Sequence, residues 1–122
     1  MRLLTHNMLT CNVKGVTKGY PLKIEAVRLE KKEAEFNPDF LRRIFPKLDW
    51  KALYETALSL DLDELPEQAE PSMLEDEAFL QKLHHVLLEV NLEEGALVCP
   101  ETGRRFPVSK GIPNMLLNED EV

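Results

Sequence analysis

The chain has 122 residues, 43% of them apolar and 30% charged, which suits one compact domain or one domain with a modest insertion. Its formal net charge of −7 argues against sequence-independent binding to a phosphate backbone, which needs a basic field. Two cysteines, Cys11 and Cys99, do not make a disulfide scaffold. No secretory signal pattern opens the chain, and no run approaches the ~20 apolar residues of a membrane helix, so a protein of the cytoplasm and nucleus with reduced thiols is expected.

In chain order, residues 1–10 carry Leu3, Leu4, Met8 and Leu9 in a stretch read as irregular or extended. Gly15, Gly19 and Pro21 mark a loop. Leu22, Ile24 and Ala26 alternate, and the phase then slips to Val27 and Leu29. That pattern predicts one strand with a bulge, or two strands turning near residues 30–32. Asn37-Pro38 is a helix start, with Asn as cap and Pro at the first helical position. Phe40, Leu41, Ile44 and Phe45 follow at helical spacing until Pro46. A second helix is expected after Asp49, with Trp50, Leu53, Tyr54, Ala57 and Leu58 as its apolar stripe. Residues 61–75 are acidic and hold Pro66 and Pro71, as a loop does. A third helix is predicted from about Glu75 to Leu87. Leu88, Val90 and Leu92 then alternate as a strand, Glu94-Gly95 reads as a tight turn, and Ala96–Cys99 as a second strand of a hairpin. Pro100–Gly103 is a turn sequence. Arg105–Val108 is a third strand that Pro107 marks as an edge. The acidic tail 118–122 reads as frayed. The expected class is α+β: a small antiparallel sheet formed by both termini (1–35 and 88–122), with a helical insertion (36–87).

Leu97–Gly103 looks like half of a zinc knuckle, which presents two ligands two residues apart on a tight turn. Thr102 stands at its second ligand position. Near Cys11 the corresponding second position is Val16. Cys11 and Cys99 therefore supply half a tetrahedral site, and zinc is not expected. The pair could be bridged, or could be two neighbouring reduced thiols. His84 shares a helix side with Leu80 and Leu87 and should be partly buried. His85 shares one with Gln81 and Glu89 and should be solvated. There is no Gly-rich phosphate loop and no G-x-S-x-G. Cys99 precedes a proline in a turn, with no predicted cation or helix N-terminus to activate it. No catalytic residue is assigned. Arg104, Arg105 and Lys110 form the one dense basic patch; it either discourages self-pairing of the edge strand or touches RNA or an acidic partner. Ile112-Pro113-Asn114-Met115-Leu116-Leu117 is apolar and follows the expected edge strand. Its side chains pack inward, or present an edge that accepts another protein's strand.

Several of these segments, in this order, resemble the small activating subunit of eukaryotic methyltransferases. They are Met1–Leu9, Glu35–Leu41, His84-His85 before Leu87-Leu88-Glu89, Cys99–Arg104, and Gly111–Leu117. The resemblance spans nearly the whole chain. It implies a zinc-ribbon-like sheet domain with a helical domain, and a non-catalytic role. Such a subunit binds class I, S-adenosylmethionine-dependent methyltransferases one at a time as heterodimers. Those enzymes modify tRNA, rRNA and a translation release factor, and they, not the subunit, bind S-adenosylmethionine. The resemblance also implies a partner-binding surface on the sheet domain, carried over to Ile112, Pro113, Asn114, Met115 and Leu116, with Phe106 and Leu4 beside them. Some members bind zinc through four cysteines, of which only Cys11 and Cys99 are present. No direct nucleic-acid or membrane binding is expected. The alternative reading is an independent zinc- or RNA-binding module.

Overall fold

The computed structural model describes residues 1–122. The opening residues, expected to be irregular, form a helix, α1 (Leu3–Met8). Six residues are too few for an isolated helix, and α1 is stabilised by what it touches. Leu3, His6 and Asn7 are buried. Asn7 donates through Nδ2 to Asp49 O and accepts Asp49 N–H on Oδ1, both at 3.0 Å. Strand β1 (Lys23–Lys31) follows as a single strand, with its register irregular between Ala26 and Leu29. Val27 is left 83% exposed there. The bulge expected from the phase slip is therefore present.

The middle segment is helical, with its starts where the capping residues place them. Asn37 Oδ1 accepts the Phe40 N–H at 3.1 Å and opens α2 (Pro38–Ile44), which ends in a single tight turn, Phe45–Lys47. Asp49 Oδ1 accepts the Ala52 N–H at 3.0 Å and opens α3 (Trp50–Ser59). The acidic loop after it closes with a 3₁₀ turn, Pro71–Glu75. Asp76 caps α4 (Glu77–His84). The helix expected to reach Leu87 instead passes through one π turn, His85–Glu89, and emerges directly as β2 (Val90–Val98). No helix is long and apolar enough to cross a membrane.

Glu94-Gly95 is not a turn: β2 runs unbroken through it. Gly95 lies opposite Ala26, where a Cβ would collide with the Glu25 carbonyl. The glycine is needed for close backbone approach beside the bulge rather than for chain reversal. β2 pairs with β1 on one side and with β3 (Arg105–Ser109) on the other, and β3 pairs with a two-residue β4 (Ile112–Pro113), all antiparallel. Pro107 thus lies in a strand whose outer neighbour is very short, close to the edge position it signals.

Two apolar cores result. The helical core gathers Leu41, Leu53, Ala57, Phe79, Leu83, Val86 and Leu87. Leu3 joins it, fully buried, with Leu4 packed alongside, although both come from the segment assigned by sequence to the sheet. The sheet core gathers Met1, Cys11, Leu22, Leu92, Leu97, Cys99, Phe106 and Val108.

Candidate partner-binding edge

The edge begins at the β3–β4 connection. Lys110 and Gly111 both have positive φ, 53° and 77°, as the two central residues of a type I′ hairpin turn require. Gly111 is also held close to the body. A Cβ there would lie 3.2 Å from the Met1 nitrogen and 3.3 Å from Glu93 Oε2. Beyond β4 one backbone bond ties the chain to β3, from Asn114 N–H to Pro107 O at 2.9 Å. Asn114 Oδ1 then accepts the Leu116 N–H at 3.1 Å.

Exposure alternates along this segment. Ile112 is 71% and Leu116 80% exposed, while Met115 and Leu117 turn half-buried onto the sheet core. Asn114 is exposed and Pro113 half-buried. Of the residues the sequence assigned to partner binding, Ile112, Asn114 and Leu116 therefore present free surface, and Pro113 and Met115 present part of theirs. Phe106 is fully buried and offers no side-chain surface to another protein. Its alternation with exposed Arg105 and Pro107 places it in the core. Leu4 is half-buried, packed against the helical core.

The two half-knuckles meet beneath this edge. Cys11 and Cys99 are buried free thiols in the same sheet core. Burial pushes the Cys11 thiol up. Burial also opposes ionisation of Cys99, but the Thr102 hydroxyl and the backbone N–H groups of Thr102 and Glu101 outweigh it and hold that thiol below its ordinary value. Each turn is closed by backbone: Cys11 N–H donates to Gly19 O at 2.9 Å, and Cys99 N–H to Arg104 O at 2.9 Å. The other ligand positions of a zinc knuckle hold Val16, which packs on the sheet core, and Thr102, whose hydroxyl accepts the Arg104 N–H. A hydroxyl and an isopropyl group do not complete a tetrahedral zinc site, and the donor set does not fit the metal. A carboxylate joins the two turns instead. Glu101 Oε1 accepts from Thr17 N–H, Thr17 Oγ1 and Lys18 N–H at 3.2–3.4 Å.

The sequence places Arg104 in a basic patch and predicts a frayed tail. The structure joins them. Arg104 Nε and Nη2 donate to the two oxygens of Glu121 at 2.7 and 3.2 Å, Nη2 also reaches Leu116 O at 3.4 Å, and Nη1 bonds Arg105 O. The guanidinium sits 4.8 Å from the Phe106 ring centroid. Its charge holds the Glu121 carboxyl below the usual range. Glu121 O accepts the Lys14 N–H at 2.6 Å. No sequence-local signal links residues 104 and 121.

The other sequence-singled cluster lies on the π turn. His84 is 5% exposed, with Nε2 at 2.9 Å from Ala34 O. His85, expected to be solvated, is only partly so, with Nδ1 at 2.9 Å from Glu89 Oε1. Glu89 Oε2 accepts the Ala34 N–H. This group ties the β1–α2 connection to the helix–strand joint.

A four-stranded antiparallel sheet joined to a helical lobe, ending in an apolar edge, places the chain among small α+β proteins. The Trm112p-like protein family matches residues 2–111, and the chain belongs to that family. It is 64% identical over its full length to the multifunctional methyltransferase subunit TRM112 homolog A of Arabidopsis thaliana, covering 100% of that protein. It is 52% identical to the TRM112-like methyltransferase subunit of Mus musculus, over 99% of this chain and 98% of the other. With the Saccharomyces cerevisiae subunit TRM112 it shares 33% identity over 96% of each. Its fold matches a chain in the E. cuniculi Mtq2–Trm112 complex, described as responsible for methylation of the eRF1 translation termination factor. The TM-score is 0.59 at 21% identity, over 95% of each chain.

Proposed function

We propose that this chain is a non-catalytic subunit that stabilises and activates S-adenosylmethionine-dependent methyltransferases acting on tRNA, rRNA and a translation release factor. It binds one catalytic subunit at a time, as a heterodimer, in the cytoplasm and nucleus. One observation carries the reading: in a family of methyltransferase subunits, this chain leaves Ile112 and Leu116 exposed on either side of Asn114, beside a two-residue edge strand. Large apolar side chains on a sheet edge suit pairing with another protein's strand. S-adenosylmethionine belongs to the catalytic subunit, and the subunit works without a metal of its own. Activation then follows from mass action. A partner that binds only the folded enzyme stabilises it by about 2.7 kcal/mol at a hundredfold excess over Kd. Covering an open edge also removes a template for aggregation.

The test is co-purification with class I methyltransferases from the same organism. Ile112→Asp and Leu116→Asp are expected to abolish recovery while the circular dichroism spectrum stays unchanged. Recovery equal to that of the unmodified chain would show that the enzyme docks elsewhere.

A further inference from the structure

We infer that Arg104 and Glu121 form a latch that sets the phase of the partner-binding edge, which makes Arg104 a positioning residue for the heterodimer. The inference rests on the functional reading above. Beyond β4 the edge segment has no neighbouring strand to fix it. The Asn114 N–H to Pro107 O bond is its last ladder contact with β3. Yet the segment has to hold a strict alternation, with Ile112, Asn114 and Leu116 outward and Met115 and Leu117 inward. In an extended chain a slip of one residue exchanges the two faces. Such a slip would bury Leu116 and turn Met115 and Leu117 outward.

Arg104 supplies what a missing strand neighbour would. From one planar guanidinium it reaches the strand at Arg105 O, the edge at Leu116 O and the tail at both Glu121 oxygens. That fork geometry is available to arginine and not to lysine, whose ammonium is a point charge. Phe106 supports the guanidinium from below. Glu121 is anchored in its turn: its side chain is only 14% exposed, its Oε1 also accepts the Asn118 N–H at 2.9 Å, and its carbonyl accepts the Lys14 N–H. An edge ordered before binding does not have to be ordered by binding, so the latch raises affinity without touching the partner.

The measurement is calorimetric affinity for the recombinant release-factor methyltransferase of the same organism, using the full chain and the variants Arg104→Lys, Glu121→Ala and the double variant. Each single variant should bind at least tenfold more weakly, and the double variant no more weakly than the weaker single one. Amide exchange should quicken across residues 114–122 and stay unchanged across β2, a pattern that general loss of folding would not give. Single variants binding within twofold of the unmodified chain would overturn the latch. Losses that multiply in the double variant, or faster exchange in β2, would do so as well. Failure of the unmodified chain to bind would instead overturn the functional reading, and the latch with it.

Discussion

His6 is 1% exposed and its Nε2–H donates to Leu22 O at 2.6 Å. Burial holds its pKa below the ordinary histidine value, against the pull of that hydrogen bond. Because the folded pKa lies below the unfolded one, the neutral ring's contribution is complete above the unfolded value of about 6.5 and is lost as pH falls through the folded value. Stability should therefore begin to fall on acidification below about pH 6.5, before the carboxylates titrate. In His6→Gln, urea midpoints measured between pH 7 and 5 should show a flatter slope. Glu93 adds a second, more acidic phase. It is 6% exposed, and its partner Lys32, with the Met1 ammonium nearby, holds its carboxyl below the usual range. Gly95 makes a different demand. Gly95→Ala should cost roughly 2 kcal/mol, read as a shift in urea midpoint without change in m, because the new methyl meets the Glu25 carbonyl. The sequence marked Gly95 as special but not for the right reason. A glycine before an apolar run signals a turn and a close backbone approach equally well, and only the strand opposite distinguishes them.

At the scale of elements, legibility followed how local the cause is. Asn37, Asp49 and Asp76 cap their helices through bonds to residues two or three positions on; α2 and α3 start where the sequence places them, and α4 starts at Glu77, two residues after the expected Glu75, because Asp76 takes the cap. Helix α1 was illegible because its stability comes from residue 49 and from a core built by later segments. Asn7→Ala should reveal that dependence. It leaves both the N–H and the C=O of Asp49 without their side-chain partner, at a cost of about 1–3 kcal/mol. In hydrogen exchange the added mobility should appear in both α1 and the first turn of α3. The tail was illegible for the same reason, since Arg104 and Glu121 are 17 residues apart and meet only once the sheet has formed. The apolar edge was readable in composition. Which of its side chains face out was not, because the alternation depends on the hairpin turn at Lys110-Gly111.

At the scale of the whole molecule, two cores share one continuous backbone path. Met1 lies in the sheet core and Leu3 in the helical core, two residues apart, and β2 leaves α4 through the π turn without a linker. The two should unfold together. Trp50, the one tryptophan, packs against the helical core and reports on it alone. Leu97 is fully buried in the sheet core. Leu97→Ala should cost about 2–5 kcal/mol, and it should move the Trp50 fluorescence transition and the far-ultraviolet transition by the same amount. Separate transitions would mean that the lobes are independent. The mixed class and the order of strand-rich ends around a helical middle were readable from periodicity. The sharing of α1 between the lobes was not, since it is decided by packing.

The π-turn joint also has an electrostatic consequence. Asp61–Glu77 carries eight acidic residues and no lysine or arginine, and its Leu65 and Leu74 are buried in the helical core. With no hinge between α4 and β2, that negative flank keeps a constant bearing relative to the Ile112–Leu116 edge. Any enzyme seated on the edge would therefore carry its added negative potential in the same direction, whatever its own shape. A polyanionic substrate approaching such a heterodimer would be repelled from that side, within the 8–10 Å range that salt leaves unscreened, and so turned toward the opposite one.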